Sequence, residues 1–166
     1  VSSKPGVGTT FTILLPRVES VAAVEPEPGT SLRAIPRGSE TILLVEDEAP
    51  LRALAAAILR RRGYWVLEAS NGLDALALAS RESGPLHLLV TDVVMPGMTG
   101  AGLASRLVQT RPEARVLYMS GYTDNPEALG LGFGSDFISK PFTPDELLDR
   151  VRALLDRPAR QGADPL

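Results

Sequence analysis

The sequence predicts a doubly wound α/β domain: a five-stranded parallel sheet in the order 2-1-3-4-5, each strand followed by a helix, with helices on both faces. Three observations predict it. Short, continuous apolar runs such as Ile42-Leu43-Leu44-Val45 and Leu88-Leu89-Val90 recur along residues 41–139, the pattern of strands buried on both faces. Between these runs apolar residues repeat at helical spacing. The runs end in a polar or charged residue with turn-forming residues soon after. Right-handed crossovers then bring all the strand ends to one edge of the sheet.

In order, Ile42 to Val45 is a buried strand ending in Glu46-Asp47-Glu48. Pro50 suits the first turn of a helix, where its missing N–H costs nothing. Leu51, Leu54, Ala55, Ile58 and Leu59 then repeat at helical spacing, and Gly63 supplies the stop. Tyr64 to Leu67 is the second strand. Asn71-Gly72 opens a helix expected to carry Leu73, Leu76 and Ala79 on one face. The third strand runs from Leu86 into Asp92, and Pro96 and Gly97 turn the chain. Leu103, Leu107 and Val108 mark a third helix, closed before Pro112. Val116 to Met119 is the fourth strand, ending in Ser120-Gly121. Asn125-Pro126 starts a short fourth helix, interrupted by Gly130, Gly132 and Gly134. Phe137 to Ser139 is the fifth strand, ending in Lys140-Pro141. Thr143-Pro144-Asp145-Glu146 has the form of a capping box, and Leu147, Leu148, Val151, Leu154 and Leu155 are expected to face inward.

The flanks read differently. Residues 17–39, with Glu25-Pro26-Glu27-Pro28-Gly29 and Pro36-Arg37-Gly38-Ser39, have few apolar side chains to pack and form an extended, solvated linker. Residues 1–16 hold a glycine turn and a possible strand from Thr10 to Leu15, too little for a core of their own. Residues 158–166 form a polar, flexible tail. The chain opens on Val1, so it is expected to be a piece of a longer protein.

Composition removes several function classes. Of 166 residues 44% are apolar, enough for a core, and the net charge is −3 with no long basic run, which argues against a nucleic-acid-binding surface. Cysteine is absent, which excludes disulfides and thiolate metal sites and fits a cytoplasmic location. No apolar stretch approaches the roughly 20 residues that span a bilayer, so no membrane contact is expected from this stretch.

The strand ends carry the chemistry. Glu46, Asp47, Asp92, Ser120 and Lys140 fall on one edge if the topology is right. Each has a plainer reading: acids after strands cap helices, Ser before Gly makes turns, and lysine is mostly a surface charge. Against that, the chain has two lysines, Lys4 and Lys140, among 17 basic residues, so a lysine at a strand end stands out. Three carboxylates about 4 Å apart repel by roughly 4 kcal/mol per pair at an effective dielectric near 20. A hard divalent cation with oxygen ligands relieves this, and Mg²⁺ suits the set better than Zn²⁺, with no His or Cys ligand. His87, at the start of its strand, is read as structural.

Val45-Glu46-Asp47-Glu48, Asp92-Val93-Val94-Met95-Pro96-Gly97-Met98-Thr99-Gly100, Ser120-Gly121 and Lys140-Pro141-Phe142 together resemble the response-regulator receiver domain of two-component signalling, over residues 40–157. The resemblance implies a flavodoxin-like (βα)5 fold. It implies that Asp92 is the phosphoacceptor, and that Glu46, Asp47, Asp92 and the backbone carbonyl of Val94 hold Mg²⁺. Ser120, Gly121 and Lys140 would bind the phosphoryl group, Ser120 and Phe137 would form the switch, and the Lys140-Pro141 bond would be cis. Phe137 stands where the family often has tyrosine, and the glycine-rich segment at 125–134 departs from the usual fourth helix. Val94 and Tyr122 would set the lifetime of the phosphoryl group. Gly6-x-Gly8-Thr9-Thr10-Phe11 resembles the end of the ATP-binding domain of sensor histidine kinases. Residues 1–16 are thus expected to be the last piece of such a domain, and the whole to be the C-terminal receiver of a hybrid histidine kinase. The other nucleotide-binding motifs are absent, so this chain is expected to have no ATP-dependent kinase activity of its own, only self-phosphorylation from phosphodonors and self-dephosphorylation. Its expected partners are the phosphohistidine domain of a kinase or a histidine phosphotransfer protein. Two rivals remain: a phosphatase of the haloacid-dehalogenase type, which expects a second acid where Val94 stands, and an interaction module that works without phosphorylation.

Overall fold

The computed structural model describes residues 1–13, 38–121 and 135–158. The chain forms two units, residues 1–35 and 36–166.

In the first, β1 (Ser2–Lys4) and β2 (Gly8–Thr10) pair antiparallel, with Ser2 opposite Thr10. Lys4-Pro5-Gly6-Val7 is the turn between them: Pro5 presets the first central position and Gly6, at φ +77°, takes the left-handed one, so that Val7 N–H donates to the Lys4 carbonyl at 3.0 Å. This corrects the strand expected over Thr10 to Leu15. Only Thr10 lies in a strand, residues 11–13 are in none, and residues 14 and 15 fall outside the described residues. The Pro-Gly turn brings the pairing forward.

The second unit is the α/β domain. Its elements are β3 (Thr41–Val45), α1 (Ala49–Arg61), β4 (Trp65–Ala69), α2 (Gly72–Arg81), β5 (Leu88–Asp92), α3 (Gly100–Thr110), β6 (Arg115–Ser120), β7 (Asp136–Ser139) and α4 (Pro144–Leu155). The sheet is parallel throughout, in the order β4-β3-β5-β6-β7. Numbered within the domain, that is the expected 2-1-3-4-5. The short helix expected from Asn125, and Tyr122 with it, lie outside the described residues, as do residues 14–37 and 159–166.

The central strands explain their apolar runs. Every residue of β5, and all of β3 but Thr41, is buried, each leucine or isoleucine contributing about 1.5–3 kcal/mol. One sheet face carries Leu43, Val45 and Leu89 against Ala75, Ala79, Leu103 and Leu107 of α2 and α3. Three residues of the expected apolar stripes are corrected here: Leu54 is 57% exposed, Leu73 68% and Val108 38%. The buried stripes are Ala55, Ala56 and Leu59 on α1, and Gly72, Ala75 and Ala79 on α2. Small residues let the helix axes approach the sheet closely and turn neighbouring leucines out.

The helix starts follow their capping residues. Asn71 accepts from Asp74 N–H at 2.9 Å and Thr99 from Gly102 N–H at 3.2 Å. Thr143 and Glu146 form the reciprocal capping box at α4. At the N-terminal side of the domain, Gly38 is buried and donates to the Arg62 carbonyl at 2.9 Å. A Cβ there would fall 2.0 Å from the Tyr64 ring, so Gly38, expected in the solvated linker, instead lies against the domain. His87 Nδ1 accepts from Thr41 N–H at 3.0 Å, a bond that ties β5 to the start of β3.

Candidate functional site

Parallel register sets the strand ends side by side. Val45 lies opposite Thr91, Asp92 opposite Met119, and Ser120 opposite Ser139. Glu46 and Asp47 follow β3 at once, Asp92 and Ser120 close β5 and β6, and Lys140 follows β7. The bond from Lys140 to Pro141 is cis, and Lys140 N–H donates to the Ser120 carbonyl at 2.7 Å, holding the ends of β6 and β7 together at the edge.

Five sequence-predicted residues therefore lie along this edge, and the side chains of three of them, Glu46, Asp92 and Lys140, meet directly. Lys140 Nζ donates to Glu46 Oε2 at 2.7 Å and to Asp92 Oδ2 at 2.8 Å. One carboxylate oxygen each from Glu46, Asp47 and Asp92 lies within 4.8 Å of the others. Glu46 is 1% exposed and Asp92 8%, whereas Asp47 is exposed, so the cluster has a buried floor and one open side. Ser120 is buried at the end of β6, the strand beside β5.

The electrostatics follow from burial. Removal from water is the strongest influence on Glu46 and pushes its carboxyl above the ordinary 4.5; the Lys140 ammonium opposes this and the Asp92 charge adds to it. For Lys140, burial pulls downward, but the Asp92 and Glu46 carboxylates outweigh it and hold the ammonium above the ordinary 10.5. Lys140 is thus a fixed positive charge at neutral pH. An ammonium has three donors, two of them spent on Glu46 and Asp92, which leaves one for a further anion.

The Asp92 backbone is held from below. Thr91, fully buried, donates its hydroxyl to the Asp92 carbonyl at 3.0 Å, and Gly100 N–H donates to the Val93 carbonyl at 2.9 Å. Gly100 opens α3 against this backbone, and a Cβ there would sit 2.2 Å from the Asp92 carbonyl oxygen. The backbone fixes where that Cβ sits, and the oxygen it meets is main chain, so neither can rotate away. Gly100→Ala is expected to cost about 3 kcal/mol, the upper range for overpacking, and to lower Tm by about 10 °C. Thermal unfolding within about 2 °C of wild type would contradict the close approach.

The other predicted residues are placed less centrally. Val94 is 51% exposed, and its N–H reaches Asp92 Oδ1 only at 3.4 Å. Phe137 is half-buried, with its ring centroid 5.4 Å from that of Tyr118 at an interplanar angle of 31°. Gly121 follows Ser120 and is half-buried. Arg52 was not singled out by the sequence. Its guanidinium donates to the Glu46 carbonyl at 2.6 Å. The signal was present as an arginine one turn inside the helix that follows the acid pair.

The arrangement can bind a hard cation on oxygen ligands and can place an anionic group against Asp92, Lys140 and Ser120. Comparison with known proteins identifies the family of the domain. The family description "response regulator receiver domain" matches residues 42–152. Sensor kinase CckA of Brucella abortus is 37% identical over 167 residues, spanning 93% of this chain and 17% of that protein. Response regulator GtcR of Aneurinibacillus migulanus is 35% identical over 120 residues, 72% of this chain and 49% of that protein. The chain therefore spans less than half the length of either relative. Among solved structures, the receiver domain of the hybrid histidine kinase CckA matches with a TM-score of 0.55 and 36% identity, covering 70% of this chain and 99% of that one.

Proposed function

Because the chain belongs to the response regulator receiver domain family, we propose that Asp92 is its phosphoacceptor and takes a phosphoryl group from a phosphohistidine in a Mg²⁺-dependent step. Receiver domains are the phosphoacceptor switches and relays of two-component signalling, and this chain carries one. The single observation that carries the residue assignment is the Lys140 ammonium, 2.8 Å from Asp92 and 2.7 Å from Glu46, on the edge where three carboxylates meet.

In this reading an Asp92 carboxylate oxygen attacks phosphorus as the phosphorus–nitrogen bond of the donor breaks. The imidazole leaves with the electron pair, and an acyl phosphate remains on Asp92. Among the described residues Oδ1 is the freer oxygen, with the long bond from Val94, while Oδ2 is held by Lys140. The remaining Lys140 donor and the Ser120 hydroxyl take phosphoryl oxygens. Glu46, Asp47 and Asp92, with the Val94 carbonyl, would hold Mg²⁺, and the all-oxygen donor set with one open side fits that ion. When bound, the ion neutralises charge developing on the phosphoryl oxygens. Ser120 moving toward the phosphoryl group, with Phe137 turning in behind it, is the proposed switch; any shift must come from contacts made only in the phosphorylated state.

The sensor-kinase relative supports a hybrid-kinase parent. Its match spans 93% of the chain, more than residues 40–157 alone supply, and so reaches into residues 1–39. Residues 1–16 would then be the last piece of a kinase ATP-binding domain. The donor would be a kinase phosphohistidine or a histidine phosphotransfer protein. Among the described residues no helix is long and apolar enough to cross a membrane.

The test is transfer from a phosphorylated histidine-kinase domain to this chain. Label is expected to move to the chain with Mg²⁺ present and to stay on the donor when the ion is chelated. Steady turnover of a phosphate monoester would favour the phosphatase instead. No Mg²⁺-dependent change with beryllofluoride would favour a phosphorylation-independent module.

Acidity gives a second test. A protonated Glu46 cannot bind a cation, and burial raises its carboxyl above 4.5. Mg²⁺ affinity is therefore expected to fall as pH drops through that raised value, above the range where an exposed glutamate titrates. A raised folded-state value also means that Glu46 contributes stability below pH 4.5 that is lost as pH rises through the raised value. Stabilisation by Mg²⁺ should therefore grow across that window. Mg²⁺ titrations followed by thermal unfolding at stepped pH read both; an affinity flat across the window would contradict Glu46 as a ligand.

A further inference from the structure

We propose that Arg52 is a positioning residue for the acid pair: it fixes the Glu46-Asp47 backbone so that both side chains face Asp92 before an ion arrives. The proposal rests on the cation-binding role given above to those acids. The turn from β3 to α1 needs such a restraint. Glu48 sits at the helix N-cap and makes no side-chain capping bond, so the local device that usually fixes a helix start is missing. The Glu48 N–H reaches only Glu46 Oε1, at 3.4 Å.

Arg52 supplies the restraint from inside the helix. Its Nη1 donates to the Glu46 carbonyl at 2.6 Å and lies 3.5 Å from the Asp47 carbonyl oxygen. Its side chain is only 20% exposed, and Nε lies 3.9 Å from Glu68 Oε2. Glu68 stands on β4 opposite Leu44, so its carboxylate is a fixed post. Arg60, two turns further along α1, holds the other oxygen of Glu68 at 2.6 Å and the Val66 carbonyl at 2.8 Å. The chain of contacts is therefore Arg60 to Glu68, Glu68 to Arg52, and Arg52 to the loop. A guanidinium is suited to this because its planar fork can face a carbonyl and a carboxylate at once.

A plain helix-to-sheet clamp would use Arg52 and Arg60 alike, so the two variants separate the roles. In Arg52→Met, which keeps the aliphatic stem packed, the Mg²⁺ concentration giving half-maximal labelling by acetyl phosphate is expected to rise about tenfold. The labelling rate at saturating Mg²⁺ should change less than about threefold, since Asp92 and Lys140 are untouched. In the metal-free protein, amide exchange at Asp47 and Glu48 should quicken about tenfold. Arg52→Lys keeps one donor for the Glu46 carbonyl and should recover most of the affinity. Arg60→Ala should leave Mg²⁺ affinity within about twofold of wild type even if Tm falls. Should Arg52→Met not fold, Glu68→Gln is read in its place, with a rise of about threefold expected.

Wild-type Mg²⁺ affinity and exchange in Arg52→Met, or an equal loss in Arg60→Ala, would overturn the proposal. Calorimetric Mg²⁺ binding keeps it separate from the phosphoacceptor reading: a wild type that binds Mg²⁺ in an Arg52-dependent way but takes no phosphoryl group sinks only the latter.

Discussion

Asp92→Asn is expected to abolish labelling from any phosphodonor, by at least about 10³-fold, while the protein stays folded. The amide replaces the carboxylate almost atom for atom, so packing above Thr91 and Gly100 is unchanged. What is lost is the nucleophilic oxygen, and neither Glu46 nor Asp47 can substitute. Glu46 lies 1% exposed with Lys140 on its Oε2, and Asp47 sits on the open side. A covalent step lost with its nucleophile leaves only background. Two opposing electrostatic changes bear on stability. Lys140 loses one of its two carboxylate partners, and the acid cluster loses one repelling charge of the kind worth roughly 4 kcal/mol at 4 Å. Tm is expected to stay within about 5 °C of wild type, in line with partial cancellation. Burial chiefly, with a contribution from the Asp92 charge, holds the Glu46 carboxyl up, so in the variant Glu46 should titrate lower. Carbon-detected NMR of the Glu46 carboxyl reads that shift. Residual labelling at a tenth of wild type would place the acceptor elsewhere.

Lys140→Met should slow phosphorylation by about 10²–10³-fold, the cost of removing one preorganised donor from a developing charge. It also strips the positive charge from Glu46 and Asp92. Removing one partner of a buried pair costs about 3–5 kcal/mol, less at low pH, where Glu46 can take up a proton. The pH dependence has a definite sign. The Lys140 ammonium is held above 10.5, so its contribution to stability is complete below 10.5 and is lost as pH rises through the raised value. The stability gap between wild type and variant should be constant from about pH 7 to 9 and narrow in stronger alkali. Mg²⁺ affinity should hold or rise, because a competing positive charge 2.7 Å from Glu46 has gone. That separates the variant from one that has merely unfolded. A Mg²⁺ affinity lowered tenfold would contradict the competition between Lys140 and the ion.

Much of this was legible in the chain itself, for identifiable reasons. The runs at residues 42–45 and 88–90 are apolar because both faces of those strands are covered, and that gave away the parallel sheet. The shared edge followed from topology: with parallel strands in this order, Glu46, Asp47, Asp92, Ser120 and Lys140 all fall at the same end of the sheet. Side-chain facing was less legible. Leu54 and Leu73 obey helical spacing yet point outward, because Ala55 and Ala75, short enough for close approach, occupy the contact. The hairpin at residues 2–10 was not legible because its turn pair, Pro5-Gly6, precedes the apolar run at residues 13–15 and its strands are polar and exposed. The link of Arg52 to the acid pair was hard to read for a different reason. Its contacts there are the Glu46 and Asp47 backbone carbonyls, and a main-chain acceptor leaves no mark on residue type.

The measurement that bears most directly on the whole account is chemical mapping of the phosphoryl group. The chain is incubated with acetyl phosphate and Mg²⁺, the acyl phosphate is trapped by borohydride reduction, and the modified residue is located by peptide mass spectrometry. One modified position, Asp92, is expected, and its modification should disappear when the ion is chelated. Modification at Glu46 or Asp47 instead, or equal labelling of Asp92 without any divalent cation, would contradict an edge at which one carboxylate reacts and its neighbours hold the metal.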